Sequence, residues 1–211
     1  MKKRIGVLFD FDGTLFDSMR VTYEATCSVF DHCGLPHPTF EDYCENFGLP
    51  YVGFYHSRNV SLSPEKIWEI FIQRVDYTGC SLFDDVHSTL ISLTVAYKTE
   101  VVVGLVSGNR DEPVREYCVK HKVMGYMRYF VTKAHDKVPP IQNFCTEHSL
   151  LPADVWFIGD FGSDMRDARK AGVNAVGITR GKATADALMK AGADHCIAHL
   201  PELSRILPLE R

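Results

Sequence analysis

Five short apolar runs constrain this chain more than any other feature: Ile5 to Phe9, Val101 to Val106, Tyr129 to Val131, Val155 to Ile158 and Ala175 to Ile178. Most of them lack alternating polar residues. A strand with one wet face alternates, whereas a strand covered on both faces does not. The runs therefore predict strands of a parallel sheet with helices on either side. His195 to Ala198 is a weaker sixth candidate.

Helical patterns fill the gaps. Asp111-Glu112-Pro113 predicts an N-cap followed by proline in the first turn, with Val114 and Cys118 next at helical spacing. Ser163 is expected to cap a helix that stops near Gly172, and Ala183 to Ala191 to form another, ended by Gly192. From residue 84 onward helix and strand alternate. That order predicts an α/β fold, a Rossmann-like parallel sheet flanked by helices.

Residues 18 to about 80 break the alternation. Ser18 to Cys33 predicts a helix ended by Gly34, and Thr39 to Phe47 a second ended by Gly48. Ser63-Pro64-Glu65 opens a third, with Ile67, Phe71 and Val75 at i, i+4 and i+8. No convincing strand occurs there. The expected organisation is a catalytic core of residues 1–16 and 83–211, with a smaller helical cap, 17–82, inserted after the first strand. A chain of 211 residues is long enough for such a core and insertion.

Bulk properties exclude several classes. A formal net charge of −4 argues against a nucleic-acid surface. No stretch approaches the length of a membrane span. Met1-Lys2-Lys3-Arg4 is basic, but the following apolar run ends at Asp10 with no small-residue cleavage site, so no export signal is expected. Seven scattered cysteines without a C-x-x-C predict reduced thiols in a cytoplasmic protein and argue against zinc. A monomer or homodimer is expected.

The chemistry should lie where the strands end. In a doubly wound sheet, ligands bind beyond the carboxyl ends of the strands. Asp10 and Asp12 follow the first run, Ser107-Gly108-Asn109 the second, and Asp160 the fourth, with Asp164 four residues later. Lys137 lies in a loop after Tyr129 to Val131. Gathered together, the carboxylates would repel and raise one another's pKa unless a hard cation joined them. Asp10 and Asp12 share one side of an extended chain and can flank one reacting centre. One carboxylate can attack phosphorus while the other transfers protons, with Lys137 and a cation neutralising charge.

These residues carry a resemblance. DFDGTLFDS resembles the first motif of the haloacid dehalogenase-like superfamily of phosphatases, and VVGLVSGN is similar to the second. Lys137-Val138-Pro139-Pro140 resembles the third, and FIGDFGSDMRDARKAG closely resembles the fourth. The motifs occur in order across residues 7 to 172. The resemblance implies Asp10 as nucleophile and Mg2+ ligand, and Asp12 as general acid/base with its carbonyl on the metal. It implies Ser107, with Gly108 and Asn109, and Lys137 at the transferring phosphoryl group. Asp160 would be a metal ligand, and Asp164 would hold the site through water or Lys137. The family pattern has proline directly after the lysine. Val138 intervenes here, so Lys133 competes for that role. The helical insertion matches the small cap of the phosphoglycolate-phosphatase-like branch, and Asp12 favours phosphoryl transfer over dehalogenation.

Plainer readings stand beside these. Asp12-Gly13 is also a turn signal, and Ser107 could be a simple strand-end hydroxyl. Asp164 could cap its helix, Ser18 could do the same for the next one, and Asn109 could start a helix. Tyr51, His56 and Arg58 are expected in a solvated cap loop, where a basic residue could instead read the distal end of a substrate. Trp68 and Phe71 read as cap core. Lys66 sits on an expected helix, which weakens a phosphonatase reading. The rivals to a magnesium-dependent phosphatase acting on a small phosphorylated metabolite are a phosphomutase of the β-phosphoglucomutase type and a non-enzymatic phosphate-binding module.

Overall fold

The computed structural model describes residues 4–97, 100–181 and 183–210. Met1 to Lys3, at the site of the export-signal question, lie outside the described residues. The five strong apolar runs all form strands, and so does the weak sixth: β1 Arg4–Phe9, β2 Glu100–Val106, β3 Tyr129–Val131, β4 Val155–Gly159, β5 Asn174–Ile178 and β6 His195–Ile197. All pair in parallel, in the order β3-β2-β1-β4-β5-β6. The chain builds outward from β1 through β2 and β3. It then returns to lay β4, β5 and β6 on the other side of β1. The reversal falls between β1 and β4, where two connections diverge and leave a crevice at the carboxyl edge.

The helices are α1 Met19–Cys33, α2 Phe40–Asn46, α3 Val52–His56, α4 Pro64–Arg74 and α5 Val86–Val95. They continue with α6 Asp111–Lys120, α7 Val138–Glu147, α8 Gly162–Ala171, α9 Ala185–Ala191 and α10 Leu203–Ile206. Alternate strand residues divide between two apolar layers. Ile5, Val7 and Phe9 of β1 pack with Val86 and Leu90 of α5 and with Val114 and Cys118 of α6. Leu8 packs on the other face with Ile141 and Phe144 of α7 and Met165 and Ala168 of α8. Burial on both faces is the reason the strands carry no polar alternation.

Helices α1 to α4 lie between β1 and β2, and no strand occurs among the described residues of 18 to 80. Their buried residues, including Phe30, Tyr43, Tyr55 and Ile67, form a third apolar cluster. Thr39 and Ser63 cap α2 and α4 through their hydroxyls, as their positions in the sequence predict.

Several local expectations are corrected. Arg110, not Asp111, occupies the N-cap of α6. Asp111 is its first residue, accepting from Arg115 one turn on and from Thr132. Ser163 lies inside α8, where Asp164 caps the open end by accepting from the Phe161 amide at 3.1 Å. Ser18 precedes α1 but makes no side-chain cap bond. Helix α2 ends at Phe47 rather than Gly48, and Gly48 instead lets two chains approach, since a Cβ there would lie 2.8 Å from Ser163 Oγ. Tyr51, His56 and Arg58 belong to or flank the short helix α3 rather than a free loop. Lys137 occupies the N-cap position of α7, with Pro139 and Pro140 in the first turn. Among the described residues, no helix is long and apolar enough to cross a membrane.

Phe16 ties the turn after β1 to the body of the fold. It is fully buried, stacks on Phe11 at 4.8 Å and meets Tyr117 at 4.5 Å. Truncation at so tight a site leaves a cavity as well as lost transfer energy. Phe16→Ala should lower stability by about 3–5 kcal/mol, read as a shifted midpoint in urea unfolding with an unchanged slope.

Candidate active site

The strand register gathers the polar residues. Phe9 pairs with Leu105 on one side and Ile158 on the other, so β1, β2 and β4 end level. The Asp10 amide continues the ladder by donating to the Ile158 carbonyl at 2.9 Å, and the Ser107 amide donates to Val131 at the same distance. Asp10, Ser107 and Asp160 thus leave the sheet side by side.

Lys137 sits among them, 3% exposed. Its ammonium contacts Asp10 Oδ1 and Asp164 Oδ1, each at 2.7 Å. The competing Lys133 is exposed and only its backbone amide reaches this region, donating to the Asn109 carbonyl. Asp164 performs both functions open to it, capping α8 with one oxygen and binding Lys137 with the other.

Asp10, Asp160 and Asp164 are all buried, and each offers an oxygen within 4.8 Å of the others. Thr14 donates to Asp160 Oδ1 at 3.2 Å, while Asp160 Oδ2 is buried without a hydrogen-bond partner. Burial pushes Asp10 up to about 7 against the pull of Lys137, with Asp164 and Asp12 adding to the rise. Burial, then Asp10 and Asp164, raise Asp160 well above the usual carboxylate range. On Lys137, burial lowers the pKa, but the two flanking carboxylates outweigh it and leave the ammonium firmly protonated. One ammonium does not balance this carboxylate set. A hard divalent cation fits what is missing: oxygen donors of the right type and a buried, unpartnered oxygen.

Asp12 is held differently. Ser18 donates to its Oδ1 at 2.6 Å and Asn109 Nδ2 to its Oδ2 at 2.9 Å. Asn109 Nδ2 also donates to the Tyr77 hydroxyl at 2.7 Å, and its Oδ1 accepts from the Arg110 amide. The Asn109 side chain is therefore occupied in orienting Asp12. Burial raises the Asp12 pKa, opposed by the bonds from Ser18 and Asn109. Ser107 Oγ accepts from the Asn109 amide, which leaves its own proton to donate into the cavity.

Two glycines permit this crowding. Gly13 has φ +74°, and a Cβ there would lie 2.1 Å from Asp160 Oδ2. At Gly159 a Cβ would lie 2.5 Å from Asp164. Thr14, Ser18 and Tyr77 complete the site and were not assigned to it from sequence. Thr14 and Ser18 flank the Asp-rich stretch and carry a proximity signal. Tyr77 arrives from the far end of the helical insertion and carries none.

The cavity over this floor is lined by Asp10, Asp12, Ser107, Gly108, Asn109 and Lys137 below, and by α1 to α4 residues above. An open α/β sheet with a carboxylate-lysine centre at its switch point and a helical roof defines a class of capped hydrolases. The haloacid dehalogenase-like hydrolase family profile matches residues 7–178, and the chain belongs to that family. It is 23% identical over 215 residues to a phosphoglycolate phosphatase of Yersinia pestis, covering 94% of this chain and 90% of that one. It is also 26% identical over 197 residues to the tyrosine-protein kinase PtkA of Mycobacterium tuberculosis (strain ATCC 25618 / H37Rv), covering 87% of this chain and 65% of that one. The fold superposes on a haloacid dehalogenase-like hydrolase from Streptococcus pneumoniae with TM-score 0.78, at 21% identity, over 96% of this chain and 97% of that one.

If the carboxylate cluster holds a divalent cation, the cation stabilises the fold by mass action. Millimolar MgCl2 should raise Tm by about 3–8 °C over EDTA. Asp160→Asn should cut that increment to less than half, and should itself raise Tm in EDTA by removing an uncompensated buried charge. Differential scanning fluorimetry in both buffers checks each sign.

Proposed function

We propose that this protein is a magnesium-dependent phosphatase that hydrolyses a small phosphorylated metabolite through an aspartyl-phosphate on Asp10. The observation that carries the proposal is the pairing of Asp10, fixed by Lys137, with Asp12, tethered two residues on by Ser18 and Asn109. A binding module would need only the cation and the hydroxyl. A second, separately tethered carboxylate beside the first is what proton transfer requires.

In this reading Asp10, Asp160 and Asp164, with the Asp12 backbone carbonyl, hold Mg2+. The ion supplies positive charge against the carboxylates and the phosphoryl oxygens. The Asp10 carboxylate attacks phosphorus as the ester P–O bond breaks, and Asp12 gives its proton to the departing alkoxide. Asp12 then takes a proton from water as that water attacks the aspartyl-phosphate, freeing inorganic phosphate and restoring Asp10. Lys137 opposes the burial-driven rise in the Asp10 pKa, favouring its ionised form, and offsets charge on the transferring group. Ser107 donates to a phosphoryl oxygen, beside the backbone of Gly108 and Asn109. The raised pKa of Asp12 suits it to both proton transfers. Residues 17–82 act as a cap that excludes water during the transfer.

A generic aryl phosphate should be hydrolysed with Mg2+, and not in EDTA. Asp10→Asn should reduce turnover by at least about 10³-fold and Asp12→Asn by about 10²–10⁴-fold. Turnover that survives Asp10→Asn would remove the nucleophile from this mechanism. Asn109→Ala should lower kcat by about 10–100-fold with little change in KM, because it loosens Asp12 rather than the substrate. Steady-state kinetics with circular dichroism on each variant separates these effects from misfolding.

A further inference from the structure

Resting on the phosphatase reading, the cavity also describes the part of the substrate that leaves. Its floor is charged and its roof is not. Above the carboxylates stand Phe47, Leu49, Tyr51, Ile67, Trp68 and Phe71. Three of these rings form a continuous wall. Tyr51 stacks on Trp68 at 5.8 Å, and Trp68 stacks on Phe71 at 5.6 Å with an angle of only 11° between planes. His135 closes edge-on against both Tyr51 and Trp68, at 5.7 and 5.8 Å.

No cation is offered to a second anionic group. Among the described residues, Lys137 is the one lysine or arginine lining the cavity, and two carboxylates already hold it. Of the arginines and lysines of the helical insertion, Arg20 pairs with Glu24, Lys66 with Glu69 and Arg58 with Asp42, and the exposed Arg74 at the end of α4 does not line the cavity. The position best suited by sequence to read a distal carboxylate, Arg58, also lies 3.9 Å over the Phe54 ring and does not reach the cavity. Burial lowers the pKa of His135, which disfavours its cationic form. Two of the roof hydroxyls are spent as well, Tyr51 donating to the Pro64 carbonyl and Tyr55 to Thr26. A carboxylate pressed against the Tyr51–Trp68–Phe71 face would lose water and gain no cation. An apolar ring would gain stacking and burial.

We propose that the substrate is the phosphate monoester of an uncharged, ring-bearing alcohol, whose body stacks on the Tyr51–Trp68–Phe71 wall. It is not a short ester ending in a second anion such as phosphoglycolate, the compound named for the Yersinia relative.

Two matched probes test this. Benzyl phosphate and 2-phosphoglycolate both lose a primary alkoxide, so a difference between them reports the pocket rather than the leaving group. With Mg2+ present, kcat/KM for benzyl phosphate should exceed that for phosphoglycolate by about 10–100-fold, from ring burial and stacking. Titration calorimetry of wild-type protein with the inert benzylphosphonate and phosphonoacetate should show the same order. Trp68→Ala should remove most of the preference in both assays, and Trp68→Phe should retain much of it. Equal or better use of phosphoglycolate, or no tighter binding of benzylphosphonate, overturns the substrate class while leaving the hydrolase intact. Tighter benzylphosphonate binding without turnover of either ester supports the pocket chemistry and instead overturns the phosphatase reading.

Discussion

The Lys137 ammonium, clamped between Asp10 and Asp164, is the interaction on which the rest of the site depends. Three carboxylates buried at the end of a sheet are costly, and desolvation alone would neutralise some of them. Lys137 opposes that at Asp10 and ion-pairs with both Asp10 and Asp164 at 2.7 Å. A buried pair of this kind contributes little net stability, but losing one member strands the other and typically costs about 3–5 kcal/mol. The arrangement therefore serves placement more than stability. It fixes the Asp10 oxygens, pins the start of α8 through Asp164, and leaves Asp160 Oδ2 buried without a hydrogen-bond partner.

That clamp can exist only because the sheet brings its members level. Asp10, Ser107 and Asp160 come from three strands distant in sequence, and Lys137 opens the helix after a fourth. The common ending follows from the in-register pairing of β1 with β2 and β4, which the two apolar layers hold in place. A register slip would turn each strand's side chains to the wrong face, so the same apolar residues that stabilise the sheet also align the chemistry. Gly13 in the turn after β1 and Gly159 at the end of β4 extend the constraint, since a Cβ at either would strike Asp160 or Asp164.

Strands, sheet direction and carboxylates were legible in the sequence because each leaves a local mark. Burial on both faces writes an unbroken apolar run, and acidic residues at the ends of such runs contradict stability unless they have another use. The tethers were not legible. Ser18 stands where a helix cap belongs, and only the folded turn shows its hydroxyl on Asp12. Asn109 could be a phosphate ligand or a helix start, and its bonds to Asp12 and Tyr77 depend on contacts across 97 and 32 residues. By sequence Arg58 reads first as a solvated cation and second as a substrate-facing one. Asp42, from a different helix, decides the matter. Side chains whose partners are distant carry no periodicity, so pattern alone cannot assign them.

The division between charged floor and aromatic roof also bears on catalytic strength. Coulombic interactions grow as the surrounding dielectric falls, so a roof that excluded water would strengthen the contacts Lys137 makes below it and those a cation would make there. A roof carrying its own arginine would hold water around that charge and weaken this effect. The helical insertion keeps its cations outside, with Arg58 drawn to Asp42 and the Phe54 ring. Gly108 and Gly48 let the roof settle closely, since a Cβ at either would meet Leu49 Cδ1 at 2.7 Å or Ser163 Oγ at 2.8 Å. Close contact between insertion and floor thus rests on the two glycines, with Leu49 shared between that contact and the apolar lining. On the proposed reading, selectivity for the leaving alcohol and shielding of the phosphoryl group would be two consequences of one wall, so a change to Trp68 or Phe71 would disturb both.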